Sequence, residues 1–300
     1  MAVSRGRSVL VTGATSGIGL LTVLELGRAG YQVVGTARSG EKAEGLLARA
    51  RREGVEVRVV LCDATDPLSC EAAVAETAKL TDGGPWALVN NAGGPLPGPV
   101  EEIGDEAVRR HLELNLIAPV RLARMVIPAM RACGSGRIVN ISSGSGRVNF
   151  PFVGWYSAGK HALESISDTL RMELRGFGIE VCLVEPGRFA SSIWGRAQEE
   201  FSPGPATVYP AAAGLIRRYT EQGIRLRQPF PVARAVRRCL EARRPWARYP
   251  VGWDAWVGIY AEEHLPRVLT DYLKCMAIGA CPVPPGSRGV LRFVTGGEKK

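Results

Sequence analysis

The chain is poor in the residues that build metal and disulfide sites. Its three histidines (111, 161 and 264) are scattered, and its seven cysteines (62, 70, 133, 182, 239, 275 and 281) are an odd number without a CxxC pair. This spacing argues against a structural zinc site or a disulfide framework, and no metal is expected. Lysine is scarce as well, with six among 38 basic residues. Nowhere do about 18 apolar residues run together, so no transmembrane segment is expected. The apolar run near the N-terminus is too short for a signal peptide. A soluble, reduced, cytoplasmic protein is the expectation.

What is present suffices for one substantial core: 300 residues, 46% hydrophobic and 22% charged. The net charge of +9 is unevenly placed, because residues 1–200 hold 22 basic and 22 acidic residues and residues 201–300 hold 16 and 7. No nucleic-acid motif accompanies the arginines, so no nucleic-acid partner is expected. The basic last third has three readings: a solvated helix face, attraction to an anionic substrate or carrier, or weak peripheral contact with anionic lipid.

Short β-branched runs at Ser8–Thr12, Gln32–Thr36, Glu56–Leu61, Ala87–Val89, Arg137–Ile141 and Glu180–Val184 alternate with helical periodicity, as in Glu71–Leu80 and Leu114–Met130. Strands joined by crossover helices predict an α/β fold, a doubly wound parallel sheet with helices on both faces. Beyond it the pattern predicts a helical substrate cap at 190–230, a helix over Pro231–Arg244, an edge strand at Ala247–Val251 and more helix at 254–279. One domain over 1–281 and a flexible tail at 282–300 complete the expected organisation.

The segment Thr12-Gly-Ala-Thr15-Ser16-Gly17-Ile18-Gly19 leaves the first strand and opens the first helix. That is where a dinucleotide pyrophosphate needs glycine: Gly13 for the tight turn, Gly17 and Gly19 for close approach, and the helix N-terminus for its free N–H groups. The second strand ends Ala37-Arg38, with no acid to hold a ribose 2′-hydroxyl and a guanidinium suited to a 2′-phosphate, which favours NADP(H). Ser16 offers a further hydrogen bond. Tyr156 and Lys160 are four apart on a predicted helix, Gly154–Phe177, and therefore share a face. An ammonium beside a phenol stabilises the phenolate, making Tyr156 a candidate acid/base. Ser143, just past the fifth strand, can donate to a substrate oxygen.

With Asn90-Asn91-Ala92-Gly93 after the fourth strand, Asn115 in the next helix, Tyr156-Ser-Ala-Gly-Lys160, and Pro186-Gly187 after the sixth strand, the TGxxxGIG loop resembles the short-chain dehydrogenase/reductase family over about residues 8–275. The resemblance implies a Rossmann-type fold and a catalytic set of Asn115, Ser143, Tyr156 and Lys160. The thirteen-residue spacing to Tyr156 favours Ser143 over Ser142. It also implies that Asp63 and Ala64 border the adenine, and that Asn91, Ala92, Gly93, Pro186, Gly187 and Ser191 border the rest of the cofactor. Lys160 would hold the nicotinamide ribose. Gly159 departs from the serine common before the lysine.

The expected reaction is reversible hydride transfer between nicotinamide and a carbonyl or secondary alcohol. Pro95, Leu96, Val148, Phe150, Phe152, Trp155, Phe189 and Trp194 would give the substrate site apolar walls. The region around Phe152–Leu163 and Ala247–Gly252 looks most like the 17β-hydroxysteroid and retinol dehydrogenase-like branch. That implies a fairly large hydrophobic substrate of steroid, retinoid or polyketide kind, in the ketoreductase direction. The alternatives are a catalytically silent NADP-binding regulator and an epimerase or dehydratase on the same scaffold. Relatives pair through the helices of Asn115 and Tyr156, which implies a homodimer or homotetramer.

Overall fold

A computed structural model describes residues 6–81, 83–190, 208–209, 214 and 226–278. Seven parallel strands form one sheet in the order β3-β2-β1-β4-β5-β6-β7: β1 (Ser8–Val11), β2 (Gln32–Ala37), β3 (Arg58–Leu61), β4 (Ala87–Asn90), β5 (Gly136–Ile141), β6 (Ile179–Pro186) and β7 (Arg248–Val251). Strand order reverses between β1 and β4, so their carboxyl ends open a crevice there. The expected strands are all present, including β7, which pairs in parallel with β6 at the sheet edge. Pro250 is tolerated there, because an edge strand has one side without a ladder to supply.

The inner strands read as continuous apolar runs because both faces are covered. All four residues of β1 and of β4 are buried. On one face α1 (Gly17–Arg28) packs against α7 (Phe230–Glu241), whose Val232, Val236, Cys239 and Leu240 are buried with Val23, Leu24 and Leu26. Each such side chain contributes roughly 1.5–3 kcal/mol on leaving water. On the other face α3 (Pro67–Leu80), α5 (Ala118–Ala132) and α6 (Gly154–Leu174) cover Leu10, Leu88 and Ile138. Two further helices follow the strands, α2 (Gly40–Arg52) after β2 and α4 (Asp105–Leu112) after β4.

Several boundaries differ from those expected, each for a local reason. The helix expected over Leu114–Met130 is preceded by α4 and joined to it by a π-helical turn, Glu113–Ile117, that holds Asn115 buried. Helix 254–279 is broken by Pro266 into α8 (Trp253–His264) and α9 (Arg267–Ala277). Nearly all of the expected cap and the whole tail lie outside the described residues.

Candidate active site

The crevice at the strand reversal is the mouth of a cavity of about 1440 Å³. At one end is the loop between β1 and α1. Gly13 and Gly17 adopt φ of +63° and +54°, a region that L side chains rarely enter. A Cβ at Gly19 would collide with the Gly13 carbonyl. The loop is held from behind: Asn91 Nδ2 donates to Thr12 O at 2.9 Å and Gly13 O at 3.1 Å, and Thr12 Oγ1 accepts from the Asn91 and Ala92 amides, both at 2.9 Å. The Asn-Ala-Gly segment therefore shapes the glycine loop besides lining the cavity.

Thr15, Ser16, Ile18, Arg38, Asp63, Ala64 and Gly93 all line the same cavity. Asp63 does not cap α3, since Asp66 does that by accepting from the Leu68 amide at 3.0 Å. Asp63 instead accepts from the Thr65 amide and hydroxyl, at 3.0 and 2.7 Å, and these bonds together with Arg38 hold its carboxyl below the usual range. Lys42 also lines the cavity, a second cation near the end of β2. It was not among the residues expected at the site.

Ser143, Tyr156, Lys160 and Asn115 meet on the cavity wall between α6 and the π-turn. Ser143 Oγ accepts from the Ser145 amide at 3.1 Å, which orients it past the end of β5. Asn115 bridges to Gly94, its Nδ2 donating to Gly94 O at 3.1 Å and its Oδ1 accepting from Gly94 N at 3.2 Å. His111, one turn earlier, contributes its carbonyl (3.1 Å) and Nδ1 (3.3 Å) to the same Asn115 nitrogen. Gly93 has no room for a side chain, because a Cβ would lie 2.8 Å from Asn115 Oδ1.

The electrostatics differ in one respect from expectation. Lys160 Nζ donates to Ile141 O at 2.9 Å and stands 6.0 Å from the Tyr156 ring centre, and Tyr156 is half-buried on the cavity wall. Burial therefore raises the phenol's pKa, with hydrogen bonding from Ser143 working the other way. Lys160 itself is pushed down to about 8 by burial, against the opposing pull of Glu164. Tyr156 is held as a proton donor.

Pro95, Leu96, Val148, Phe150 and Phe189 line the cavity as expected, with Pro186 and Gly187 beneath them. Trp155 does not. Adjacent residues on a helix point about 100° apart, so with Tyr156 facing inward Trp155 turns away, packs on Leu96, Ile103 and Val108, and donates to Val100 O at 3.3 Å. Phe152 is also outside, at φ +64° and edge-on to Tyr209. Ser191 and Trp194 lie outside the described residues. Sequence reasoning missed Asp254, at the start of α8, whose Oδ2 accepts from the Arg188 amide at 2.6 Å and which occupies the space a side chain at Gly187 would need. No group of three or more metal-binding side chains occurs among the described residues, nor is any described helix long and apolar enough to cross a membrane.

A glycine cradle too tight for side chains, set at the first turn of α1 where strand order reverses, fits a pyrophosphate. Beside it, a half-buried phenol and a buried ammonium face the same space. These features define the class: an oxidoreductase that uses a dinucleotide. Residues 7–201 match the short chain dehydrogenase family, and the chain belongs to it. It is 34% identical over 277 residues to the uncharacterized oxidoreductase YusZ of Bacillus subtilis, covering 85% of this chain and 97% of that protein. It is 31% identical over 287 residues to human retinol dehydrogenase 16, covering 89% and 87%. Among solved structures, the F189W actinorhodin polyketide ketoreductase with NADPH matches with a TM-score of 0.71 and 33% identity, covering 82% of this chain and 95% of that one.

Proposed function

We propose that the protein is an NADP(H)-dependent reductase of a fairly large hydrophobic ketone, of steroid, retinoid or polyketide kind. The observation that carries this reading is the presence of Arg38 and Lys42 at one end of a cavity whose other end holds the half-buried Tyr156 among apolar walls. Two cations and no acid at the close of β2 suit the 2′-phosphate of NADP(H). When bound, that cofactor supplies the hydride.

The chain's own residues do the rest. Ser143 donates to the carbonyl oxygen and shares its developing charge. Tyr156, protonated because burial raises its pKa, delivers the proton to that oxygen. Lys160 would hold the nicotinamide ribose when the cofactor is bound and, while charged, favours the return of Tyr156 through the phenolate. Asn115, fixed by Gly94 and His111, keeps the π-turn wall in place behind Lys160. Pro95, Leu96, Val148, Phe150 and Phe189 exclude water from the reacting carbon. The polyketide ketoreductase with NADPH supports the direction, and the human retinol dehydrogenase supports the hydrophobic substrate.

The test is NADPH oxidation over a panel of lipophilic ketones, with NADH as the comparison. Preferential consumption of NADPH with stoichiometric alcohol is expected. Product formation without net NADPH consumption would instead indicate an epimerase or dehydratase, and retained NADPH binding without any product would indicate a regulator.

A further inference from the structure

Behind the catalytic wall, four elements bring charged side chains into one cluster. Glu164 lies one helical turn beyond Lys160 on α6, and Glu185 lies near the end of β6. Both are buried, Glu185 completely. Arg248 of β7 stands between them, its Nε 3.0 Å from Glu164 Oε2 and 3.3 Å from Glu185 Oε1, while its terminal nitrogen is 2.6 Å from Asp168. Arg147, from the loop after β5, reaches Glu185 at 3.4 Å and also pairs with Glu263 of α8. The charged groups around Glu164 are therefore Lys160 and Asp168 on its own helix, Arg248 from β7 and Glu185 from β6. Arg147, Glu263 and Arg171 lie one contact further out.

The two buried glutamates are reached by only two arginines, and each arginine is shared with other carboxylates. Arg248 is divided among three and Arg147 between two. Glu185 Oε2 has no hydrogen-bond partner among the described residues. Burying two negative charges that share one guanidinium nitrogen is costly unless one takes up a proton.

We propose that Glu164 is a positioning residue that forms, with Glu185, a carboxyl pair sharing one proton, whose remaining negative charge holds Lys160 in its protonated form. The pair also ties together the segments that carry the site. Ser142, next to Ser143, is buried beside the same Gly146 as Glu164. Gly146 packs so closely on both that a Cβ would lie 2.7 Å from Ser142 Oγ and 3.2 Å from Glu164 Oε1. Burial raises the pKa of both glutamates, and the charge of Glu164 raises that of Glu185 further. Glu164 in turn opposes the effect of burial on Lys160.

The kinetic consequence rests on the reductase reading; the effect on Lys160 does not. The primary experiment is therefore the ¹⁵N titration of Lys160 Nζ in the full chain, which six lysines make simple to assign. Glu164→Gln should lower the Lys160 pKa by about one unit, the effect of removing a nearby opposite charge, and Glu164→Asp should recover part of it. The alkaline limb of kcat/KM for NADPH-dependent reduction should move down by the same amount. An unchanged Lys160 titration in folded Glu164→Gln protein overturns the proposal. If that variant does not fold, Glu185→Gln decides. Leaving Glu164 fully ionised, it should raise the Lys160 pKa, and no change or a fall overturns the proposal. Wild-type protein that reduces no ketone would overturn the reductase reading while leaving the Lys160 titration to judge the pair.

Discussion

Gly159 and His111 meet across the contact between α6 and α4: a Cβ built on Gly159 would lie 3.6 Å from His111 Nε2, a buried nitrogen with no hydrogen-bond partner among the described residues. The other ring nitrogen faces Asn115, and the ring stands edge-on to Tyr156 with centres 6.0 Å apart. Glycine at this position thus leaves the imidazole unpartnered on this side among the described residues. Gly159→Ser adds a Cβ at ordinary contact distance, removes a helix-interior glycine, and offers the imidazole a hydroxyl. We expect stabilisation of roughly 0.5–1 kcal/mol from helix propensity alone, seen as a higher thermal midpoint with turnover retained. A lower midpoint would show that the pocket around His111 has no room for a side chain.

His111 also makes a pH signature. Burial and the nearby Lys160 hold its pKa down to about 4, from the ordinary imidazole value of 6.5. Between those values the unfolded chain binds a proton that the folded chain does not, so the stability this neutral ring supplies is complete above about 6.5 and is lost as pH falls toward about 4. The loss is on the order of 2–3 kcal/mol. Denaturant unfolding from pH 7 to pH 4 should show it in the wild type and not in His111→Gln. Equal pH slopes in both would place the titration elsewhere.

Tyr156 and Ser143 should both fail in the chemical step and not in cofactor binding. Tyr156→Phe removes the proton donor but keeps the ring on the cavity wall, so kcat for ketone reduction should fall by about 10²–10⁴-fold with NADPH affinity kept. Ser143→Ala removes a donor that strengthens in the transition state, with a loss of similar order in kcat and little change in cofactor affinity. Single-turnover hydride transfer with NADPH binding measured in parallel separates the two effects. A large loss of NADPH binding in either variant would mean that the residue is structural.

The second cation of the cofactor end is open to a direct comparison. Arg38→Ala should weaken NADPH, but not NADH, by about 10- to 100-fold, the worth of a charge-assisted hydrogen bond. Lys42→Ala should act in the same sense, through a more mobile point charge. Titrations of both variants with both cofactors check this. Equal weakening of NADH would mean that Arg38 shapes the loop and does not read the phosphate.

What could be read from the chain alone follows from how far apart in sequence the interacting residues lie. The glycine loop and the Tyr156–Lys160 pair are local patterns, written within eight and five residues of one another, and both stand where periodicity put them. Trp155 was misplaced because helix period places it beside Tyr156 in sequence but leaves open which way the pair faces until α4 and the Leu96 cluster pack against it. The Glu164–Arg248 contact joins residues 84 apart, and Arg248 looked like one more solvated arginine in a basic third. Only the parallel pairing of β7 on β6 brings it inward. Lys42 was hidden for the opposite reason, since nothing in a polar helix start distinguishes a cation that faces a crevice from one that faces water.

Asp254 offers a last test of how the C-terminal elements serve the cofactor end. Its carboxylate accepts from the Arg188 amide at 2.6 Å and fills the space above Gly187 and Gly252, so α8 is pinned to the Pro186–Gly187 turn through one side chain. Asp254→Ala leaves the Arg188 amide without that acceptor and opens room over both glycines, which frees the turn to move. Removing a hydrogen bond to a charged group costs about 1.5–3 kcal/mol. If the turn is ordered by Asp254 before cofactor arrives, that cost appears in NADPH affinity, as a weakening of about tenfold or more, with kcat at saturating cofactor nearly kept. Asp254→Asn retains an acceptor oxygen and should lose much less. Equal loss in the two variants would assign the effect to charge at the cavity wall, and unchanged affinity in both would detach α8 from cofactor binding.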